Sequence, residues 1–456
     1  MELKLVIVGA GEVGSHIARK LSLENKDVTV IDKNPEALSR ITEHLDVQAI
    51  EGSGCDPHVL KEAGIEEADA FLAVTDSDEI NLISCFFANV LAPQVKKLAR
   101  IRNESYTHFQ PGLLEYHLKI DRIINPDREV AATIERLIVF PDAEDVSELA
   151  EGKIRIVGLR VNENSPVKNK SLADLRQQHK DLGFVVGAIF RNEKLIVPKG
   201  QDVLQPGDFI YVVSERTVAR KVLKMFGCHE DPPRNILIIG GGKIGLITAR
   251  HLENRDLHIR ILEKDRKRCD YLSEVLNRAV VIHGDGTDQQ ILSEENISRM
   301  DLVLALTGDE ETNILSSLLA KRLGAKRVIT RISKFSYMPI VYAIGLGHVV
   351  NPRLSAINSI LQYIRQGKIL SAVTLRGEEA EVLEVEAVEN SEIVGELLKN
   401  IKFPQGVLVL AVMRSKDIVI PTGNTVIHPG DRVIILVERK AIPRIEKQLS
   451  IKMRSF

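Results

Sequence analysis

The sequence predicts an α/β protein with two doubly wound parallel sheets, each followed by a small α+β domain. Short apolar runs alternate with amphipathic helical patterns, which favours parallel strands because parallel neighbours need crossover connections. Glycines follow the first apolar run at Gly-x-Gly-x-x-Gly spacing. The whole pattern then occurs a second time, so the chain is a tandem duplication.

The first half begins with an apolar run that ends at Val8 and leads through Gly9, Gly11 and Gly14 into a helical pattern. The second strand ends at Asp32. The strands of this sheet are predicted at 3–8, 28–31, 47–50, 70–74, 97–101 and 122–124. A helix over 129–140 follows, with an apolar stripe that indicates either contact between lobes or subunits or packing within one core.

The polar segment 141–145 is predicted to be a linker to the small domain. That domain has a helical pattern at 172–178 and β-type runs at 154–159, 184–190, 195–197 and 209–213. Every landmark recurs: Gly9 to Gly14 as Gly240 to Gly245, Asp32 as Glu263, and Pro206-Gly-Asp208 as Pro429-Gly-Asp431. The predicted domains are therefore 1–141, 142–231, 232–367 and 368–456.

The glycine motif is typical of a dinucleotide cradle of the Rossmann type. Its glycines allow a tight turn, close approach of backbone to a pyrophosphate, and packing of the helix on the strand. Asp32 and Glu263 stand where an acid accepts hydrogen bonds from the adenosine ribose, which disfavours a 2′-phosphate and predicts NAD(H) over NADP(H). Ordinary strand-end acids are the competing interpretation, and ATP or ADP present the same ribose and phosphates.

Other recurring residues lie at the carboxyl ends of predicted strands, where open α/β sheets bind ligands. The glycines of the segment 52–56 fit either a simple turn or contact with an adenine. Arg100 and Arg331 close the fifth strand of each half, where a guanidinium could reach phosphates or form a surface salt bridge. Position alone does not separate these alternatives.

Composition excludes several classes of protein. A net charge of −2 argues against nucleic-acid binding, and the four cysteines lack the spacing of a zinc or disulfide framework. No apolar run approaches the ~20 residues of a membrane span, so we expect a cytosolic protein. No catalytic or metal-ligating constellation stands out, which favours binding without chemistry. The alternatives are an NAD-dependent oxidoreductase and a nucleotide-binding scaffold with another client.

The motifs Gly9-Ala-Gly-Glu-Val-Gly14, Gly52-Ser-Gly-Cys-Asp56, Val74-Thr-Asp-Ser-Asp78 and Ala99-Arg-Ile-Arg102, joined to the small domain and duplicated, closely resemble the TrkA family. The resemblance covers essentially the whole chain. It implies alternating N-terminal and C-terminal RCK domains. It also implies a cytoplasmic homotetrameric ring beneath a potassium-transporting membrane subunit of the TrkH or TrkG type, gated by NAD(H) and adenine nucleotides.

The same resemblance implies two nucleotide sites. The first comprises Gly9, Ala10, Gly11, Glu12, Val13, Asp32, Thr75, Asp76 and Arg100. The second comprises Gly240, Gly241, Gly242, Lys243, Ile244, Glu263, Thr307 and Arg331. Gly308 replaces Asp76, and the longer Glu263 replaces Asp32, so the resemblance does not imply equal affinity. The alternatives are that one half binds a different nucleotide or that it mainly builds the ring.

Overall fold

The computed structural model describes residues 3–24, 26–108, 112–192, 194–228, 231–364, 369–375, 379–415 and 417–449. The predicted boundary between 367 and 368 lies outside these residues. By packing, the chain forms two compact units, one of Met1–Glu129 with Arg353–Gln366 and one of Val130–Pro352 with Gly367–Phe456. Across the described ranges, no helix combines the length and apolar character needed to cross a bilayer.

The first parallel sheet has six strands in the order β3-β2-β1-β4-β5-β6. Val8 pairs with both Ile31 and Ala73, so the central strands end at the same edge. The strands are β1 (Lys4–Val8), β2 (Asp27–Asp32), β3 (Gln48–Glu51), β4 (Ala70–Ala73), β5 (Lys96–Arg100) and β6 (Arg122–Ile124). The helices are α1 (Glu12–Leu23), α2 (Pro35–Thr42), α3 (Pro57–Glu62), α4 (Asp78–Leu91), α5 (Glu104–His108), α6 (Leu113–His117) and α7 (Pro126–Val139).

The first small domain is an antiparallel five-stranded sheet in the order β10-β9-β11-β8-β7. The strands are β7 (Asp145–Leu149), β8 (Ile154–Arg160), β9 (Phe184–Arg191), β10 (Lys194–Ile196) and β11 (Phe209–Glu215), and the helices are α8 (Leu172–Gln178) and α9 (Ala219–Met225). Strand β7 was not predicted. It starts at the last residue of the predicted linker, and only Val146 and Leu149 of its side chains are buried.

The second half repeats both parts. Its parallel sheet, in the order β14-β13-β12-β15-β16-β17, consists of β12 (Asn235–Ile239), β13 (His258–Glu263), β14 (Val280–His283), β15 (Leu302–Ala305), β16 (Val328–Arg331) and β17 (Val349–Val350). The helices are α10 (Lys243–Glu253), α11 (Arg266–Val275), α12 (Gln289–Glu294), α13 (Glu310–Arg322), α14 (Met338–Ala343) and α15 (Pro352–Ile364). The second small sheet, in the order β18-β19-β22-β20-β21, is followed by α16 (Ile442–Leu449). Its strands are β18 (Ile369–Thr374), β19 (Ala380–Glu386), β20 (Val407–Arg414), β21 (Asp417–Val419) and β22 (Arg432–Glu438).

The recurring Pro-Gly-Asp turn of the small domains has a structural role. Asp208 is buried, and its two carboxylate oxygens accept from the Nε and Nη2 of Arg191, both at 2.8 Å. Asp431 makes the matching pair with Arg414 in the repeat. A bidentate Arg–carboxylate pair fixes two strands in one orientation, so the motif belongs to the fold rather than to a ligand site.

The two small sheets share one apolar core. Phe190 and Tyr211 of the first sheet belong to the same buried cluster as Leu410 and Ile434 of the second. A Cβ at Gly187 would lie 3.0 Å from Cδ2 of Leu410, so the glycine permits this close packing. The small domains are therefore a face-to-face pair within one chain.

Helices α7 and α15, which end the two parallel-sheet parts, pack away from the sheets that precede them. The apolar stripe of α7, including Ile134 and Leu137, shares a buried cluster with Ile236 and Ile238 of β12. Helix α15 follows the second sheet, yet from Arg353 onward it is part of the first compact unit. The stripe of α7 is thus a contact between the two repeats, the first of the alternatives that the sequence left open.

Candidate functional site

Two of the three glycines in the first motif are required by the fold. Gly9 has φ +111°, and a Cβ there would lie 3.0 Å from the backbone N of Thr75. A Cβ at Gly14 would lie 1.9 Å from the carbonyl oxygen of Gly9. The first glycine therefore allows the turn and the third allows α1 to sit close beneath it.

The middle glycine has no such structural reason. Gly11 precedes α1 with φ −66° and ψ −178°, a conformation that any residue adopts, and a Cβ there would meet no atom within 4 Å. No side chain caps α1 at this end, so its first amides face the same space.

The second motif repeats this geometry. Gly240 has φ +100° and approaches Thr307, while a Cβ at Gly245 would lie 2.1 Å from the Gly240 carbonyl oxygen. Gly242 has φ −63° and ψ −164°, with no atom within 4 Å of a built Cβ. Both loops thus leave the N-terminal amides of a helix open to an approaching anion.

The strand-end acids hold the glycine loops. Asp32 accepts from the backbone N of Ala10 at 2.6 Å and of Asn34 at 2.8 Å. Glu263 makes the equivalent bonds with Gly241 at 2.7 Å and Asp265 at 2.8 Å. Each carboxylate keeps lone pairs for a further donor such as a ribose hydroxyl. Asp32 and Glu263 therefore differ from ordinary acids at strand ends, because each one fixes the backbone of its glycine loop by hydrogen bonds.

Packing explains the glycine at position 241 of the second loop. A Cβ at Gly241 would lie 2.2 Å from Cδ1 of Leu272 and 3.3 Å from Oε2 of Glu263. The first loop has Ala10 at this position and the shorter Asp32 opposite it. The glycine at this position of the second loop is therefore explained first by Leu272, the nearer of the two side chains.

An asparagine joins the ends of β4 and β5. Asn81 is buried, and its amide oxygen accepts from the N of Thr75 at 3.0 Å and from its Oγ1 at 2.8 Å. Its Nδ2 donates to the carbonyls of Thr75 at 3.1 Å and Arg100 at 2.8 Å. Asn313 makes the same bonds with Thr307 and Arg331. Sequence analysis did not place these asparagines at the site, although their recurrence was a visible signal.

The arginines lie at the same edge in both sites. Arg100 is 5% exposed, and its Nη1 donates to Oδ1 of Asp76 at 3.0 Å and to the Thr75 carbonyl at 3.3 Å. Burial, together with the nearby positive charge of Arg102, lowers the pKa of Arg100, whereas Asp76 opposes that shift. The salt bridge of the competing interpretation is present, but its arginine is buried in the loop rather than on an open surface.

In the second site, Arg331 donates from Nη1 to the carbonyl of Thr307, and its Nη2 lies 3.5 Å from Oγ of Ser333. The position of Asp76 is taken by Gly308. The arginine is thus retained in both copies, but the acid opposite it is not.

The residues that begin the two helices have opposite charges. Glu12 is exposed and forms an ion pair with Arg353, which α15 contributes to the same unit. Lys243 takes the place of Glu12, and Arg268 donates from Nε to the carbonyl of Gly241 at 2.7 Å. Neither Arg353 nor Arg268 was predicted, because a contact between distant segments leaves no local pattern.

The remaining predicted positions contribute backbone only. The side chains of Val13 and Ile244 are 5% and 4% exposed, so they serve the core. The glycines after the third strand are explained by packing, since a Cβ at Gly54 would lie 2.2 Å from Val8 and one at Gly286 the same distance from Ile239. Of the two interpretations of that segment, the turn is the one that packing supports.

The structure therefore brings together every predicted residue of each site. In the first, Asp32 bonds Ala10, Thr75 contacts Gly9, and Arg100 lies against Thr75 and Asp76. The second repeats these contacts without the second acid. Within the described ranges, no three His, Cys, Asp or Glu side chains converge as a metal site requires.

Known proteins resemble the chain along its whole length. The model of the TrkA-N domain matches residues 5–126 and 236–352, and that of the TrkA-C domain matches 156–227 and 382–450. The Trk system potassium uptake protein TrkA of Azorhizobium caulinodans is 36% identical over 100% of both chains. TrkA homolog 1 of Methanosarcina mazei is 37% identical over 98% of this chain and 99% of its own.

A solved structure supports the fold. The GsuK channel bound to NAD superposes with a TM-score of 0.61 at 20% identity, covering 98% of this chain and 79% of the channel chain. At this identity the likeness concerns the arrangement of sheets and helices alone.

Proposed function

The chain belongs to the TrkA family of Trk-system potassium uptake proteins, and from that premise we propose that it is a nucleotide-sensing regulatory subunit. It binds NAD(H), and ATP or ADP, at its two glycine loops and controls potassium uptake through a membrane transporter subunit. Its role is regulation and binding rather than catalysis.

The middle glycines carry this proposal. Gly11 and Gly242 have backbone angles open to any residue and space for a side chain, so neither the fold nor local packing requires glycine there. A glycine at this position suits the close approach of a pyrophosphate to the helix amides. The same condition holds in both copies, which supports a site in each.

The acids favour NAD(H) over its 2′-phosphorylated form. Asp32 and Glu263 are fixed by two backbone amides each, so a 2′-phosphate would have to approach a carboxylate that cannot turn away. ATP and ADP present the same ribose diol and are compatible with both sites. The NAD named with the GsuK channel, a protein of the same fold, agrees with this assignment.

The family supports the proposed partner. Relatives that are aligned over their full lengths are named as parts of a Trk potassium uptake system, which supports a membrane subunit of the TrkH or TrkG type as the partner. We place the chain at the cytoplasmic face of the membrane, in a homotetrameric ring. A nucleotide can shift the transporter only by the difference between its affinities for the two ring states.

Calorimetric titration with NADH tests the sites directly. Gly11→Val and Gly242→Val place a side chain over the helix amides without backbone strain, and each should abolish binding at one site only. The double variant should bind no nucleotide. Gly200→Ala is the matched control, because its Cβ would make an ordinary contact of 3.6 Å with Ala173. Binding by the double variant at wild-type affinity would show that the glycine loops do not hold the ligand.

Copurification and uptake test the partner. Coexpressed with a potassium-translocating subunit of the TrkH or TrkG type, the chain should copurify with it and alter potassium uptake in response to NADH. The double glycine variant should still copurify but lose the response to nucleotide. Failure to copurify would favour a scaffold with another client.

A further inference from the structure

We propose that the two sites are specialised, the first for NAD(H) and the second for an adenosine polyphosphate such as ATP, which carries more phosphate charge. This inference rests on the proposed function, since it assigns ligands to sites proposed above. It comes from comparing the charges that surround two loops with the same backbone.

The first difference lies at the start of the helix that follows each glycine loop. Glu12 is the first residue of α1 and Lys243 is the first residue of α10, each next to the amides that face a phosphate. Glu12 is partly neutralised by Arg353. No described acidic side chain forms an ion pair with Lys243, so its ammonium group adds to the positive end of the helix dipole.

The second difference lies in the loop after the fourth strand. Thr75 and Thr307 approach the first glycine of their motifs, so the next residue in each loop is close to the cradle. Asp76 occupies that position in the first site and pairs with Arg100, whereas Gly308 occupies it in the second. The carboxylate that would repel additional phosphates is thus absent from the second site.

The third difference is a cation held against the loop itself. Arg268 stands where the first half has Ala37, and its Nε bonds the carbonyl of Gly241 at 2.7 Å. The bond holds the guanidinium beside the glycine loop, and the group has further N–H donors. Each of the three exchanges makes the second site more positive.

Four exchanges go the other way: Asp265, Asp285 and Asp309 replace Asn34, Ser53 and Ser77, and Ser333 replaces Arg102. The three new carboxylates are occupied, and Asp309 caps α13 by accepting from the backbone N of Thr312 at 2.7 Å. Asp265 replaces Asn34 and, like it, caps the following helix by accepting a backbone amide, here from Arg268 at 2.7 Å. Asp285 replaces Ser53 and lies 2.9 Å from Nζ of Lys264. Bonds from Thr287 and Lys264 hold the pKa of Asp285 at about 2. None of these four residues has a described bond to the glycine loop, whereas Lys243 begins the helix at that loop and Arg268 bonds the carbonyl of Gly241, so the positive charge next to the helix amides is still the greater in the second site.

The experiment uses the full chain with one site blocked at a time. Gly242→Val leaves the first site and Gly11→Val leaves the second, and each is titrated with NADH and with ATP in the absence of divalent cations. We expect the second site to have at least about a tenfold higher ATP-to-NADH affinity ratio than the first, since one charge within several Å of a phosphate changes affinity by roughly that factor. High salt should shrink this difference.

Variants that give one site the charged residue of the other site test the role of each charge. In the Gly11→Val protein, Lys243→Glu and Gly308→Asp should each lower ATP affinity by about tenfold and affect NADH less. Gly308→Asp is sterically open, because a Cβ there meets no atom within 4 Å. In the Gly242→Val protein, Asp76→Gly should raise the ATP-to-NADH ratio.

Equal ratios at the two sites, or exchanges without effect on ATP, would overturn the specialisation while leaving nucleotide sensing intact. Absence of nucleotide binding in the wild-type chain would instead overturn the proposed function. A Gly11→Val protein that binds ATP more tightly than NADH, and loses that preference with Gly308→Asp, would support the specialisation.

Discussion

Removal of the Asn81 side chain is the sharpest test of how the first site is held. Asn81 is 0% exposed and makes four hydrogen bonds, three to Thr75 and one to the Arg100 carbonyl. In Asn81→Ala, the half-buried Thr75 amide and the buried Arg100 carbonyl lose these partners. The buried group costs about 1–3 kcal/mol when it is unsatisfied and the half-buried amide about 1 kcal/mol, so opening of the loop should become easier by roughly 2–4 kcal/mol.

Hydrogen exchange at the Thr75 amide measures that change. One unfolding free energy does not describe a chain with several cores, whereas the exchange of a single amide reports its own opening. The expected change is roughly 30- to 1,000-fold faster exchange, since each 1.4 kcal/mol is about tenfold. In the Gly242→Val background, NADH affinity at the first site should fall, because Thr75 and Arg100 lose their common support.

Asn254→Ala is the matched control. Asn254 is an exposed residue at the end of α10 whose Nδ2 donates to the Arg250 carbonyl at 3.3 Å, so truncation should change stability by less than about 0.5 kcal/mol. Asn313→Ala should reproduce the effect of Asn81→Ala in the second site. Unchanged exchange at Thr75 together with unchanged NADH affinity would refute the argument that the asparagine positions the site.

Three further predictions concern other contacts. Gly241→Ala should make opening of the second parallel sheet easier by about 1–3 kcal/mol through overpacking against Leu272, and the interaction energy should be non-zero in a double-mutant cycle with Leu272→Ala, measured by hydrogen exchange of the β12 amides. Gly187→Ala should be destabilising in the wild type and better tolerated with Leu410→Ala, whereas additive effects would contradict the close packing of the small sheets. Burial raises the pKa of Asp301, but a lysine and two backbone amides outweigh it and hold the pKa at about 2, below the ordinary 3.8. The ionised Asp301 contributes its full stabilisation above pH 3.8 and loses it as the pH falls towards 2. The difference in stability between the wild type and Asp301→Asn should therefore narrow over that range. A difference that stays constant with pH would refute the assignment.

The strands and the glycine loops could be predicted because their signals are local. The central strands β1, β4, β12 and β15 are nearly continuous apolar runs, and the observed bounds of the strands differ from the predicted ones by at most about one residue in the first sheet. Because the unit is duplicated, each of these patterns could be read a second time in the same chain. The same reasoning identified Asp32 and Arg100 as residues of one edge, and the structure brings them to one cradle.

The remainder depends on contacts between distant segments. Strand β7 is half polar, and it is a strand because Asp145 to Leu149 pair with β8. The residues that pack against the apolar stripe of α7 could not be deduced from its helical periodicity, because that periodicity shows only that one face is buried. Arg353 pairs with Glu12 from 341 positions away, and no local pattern marks such a pair.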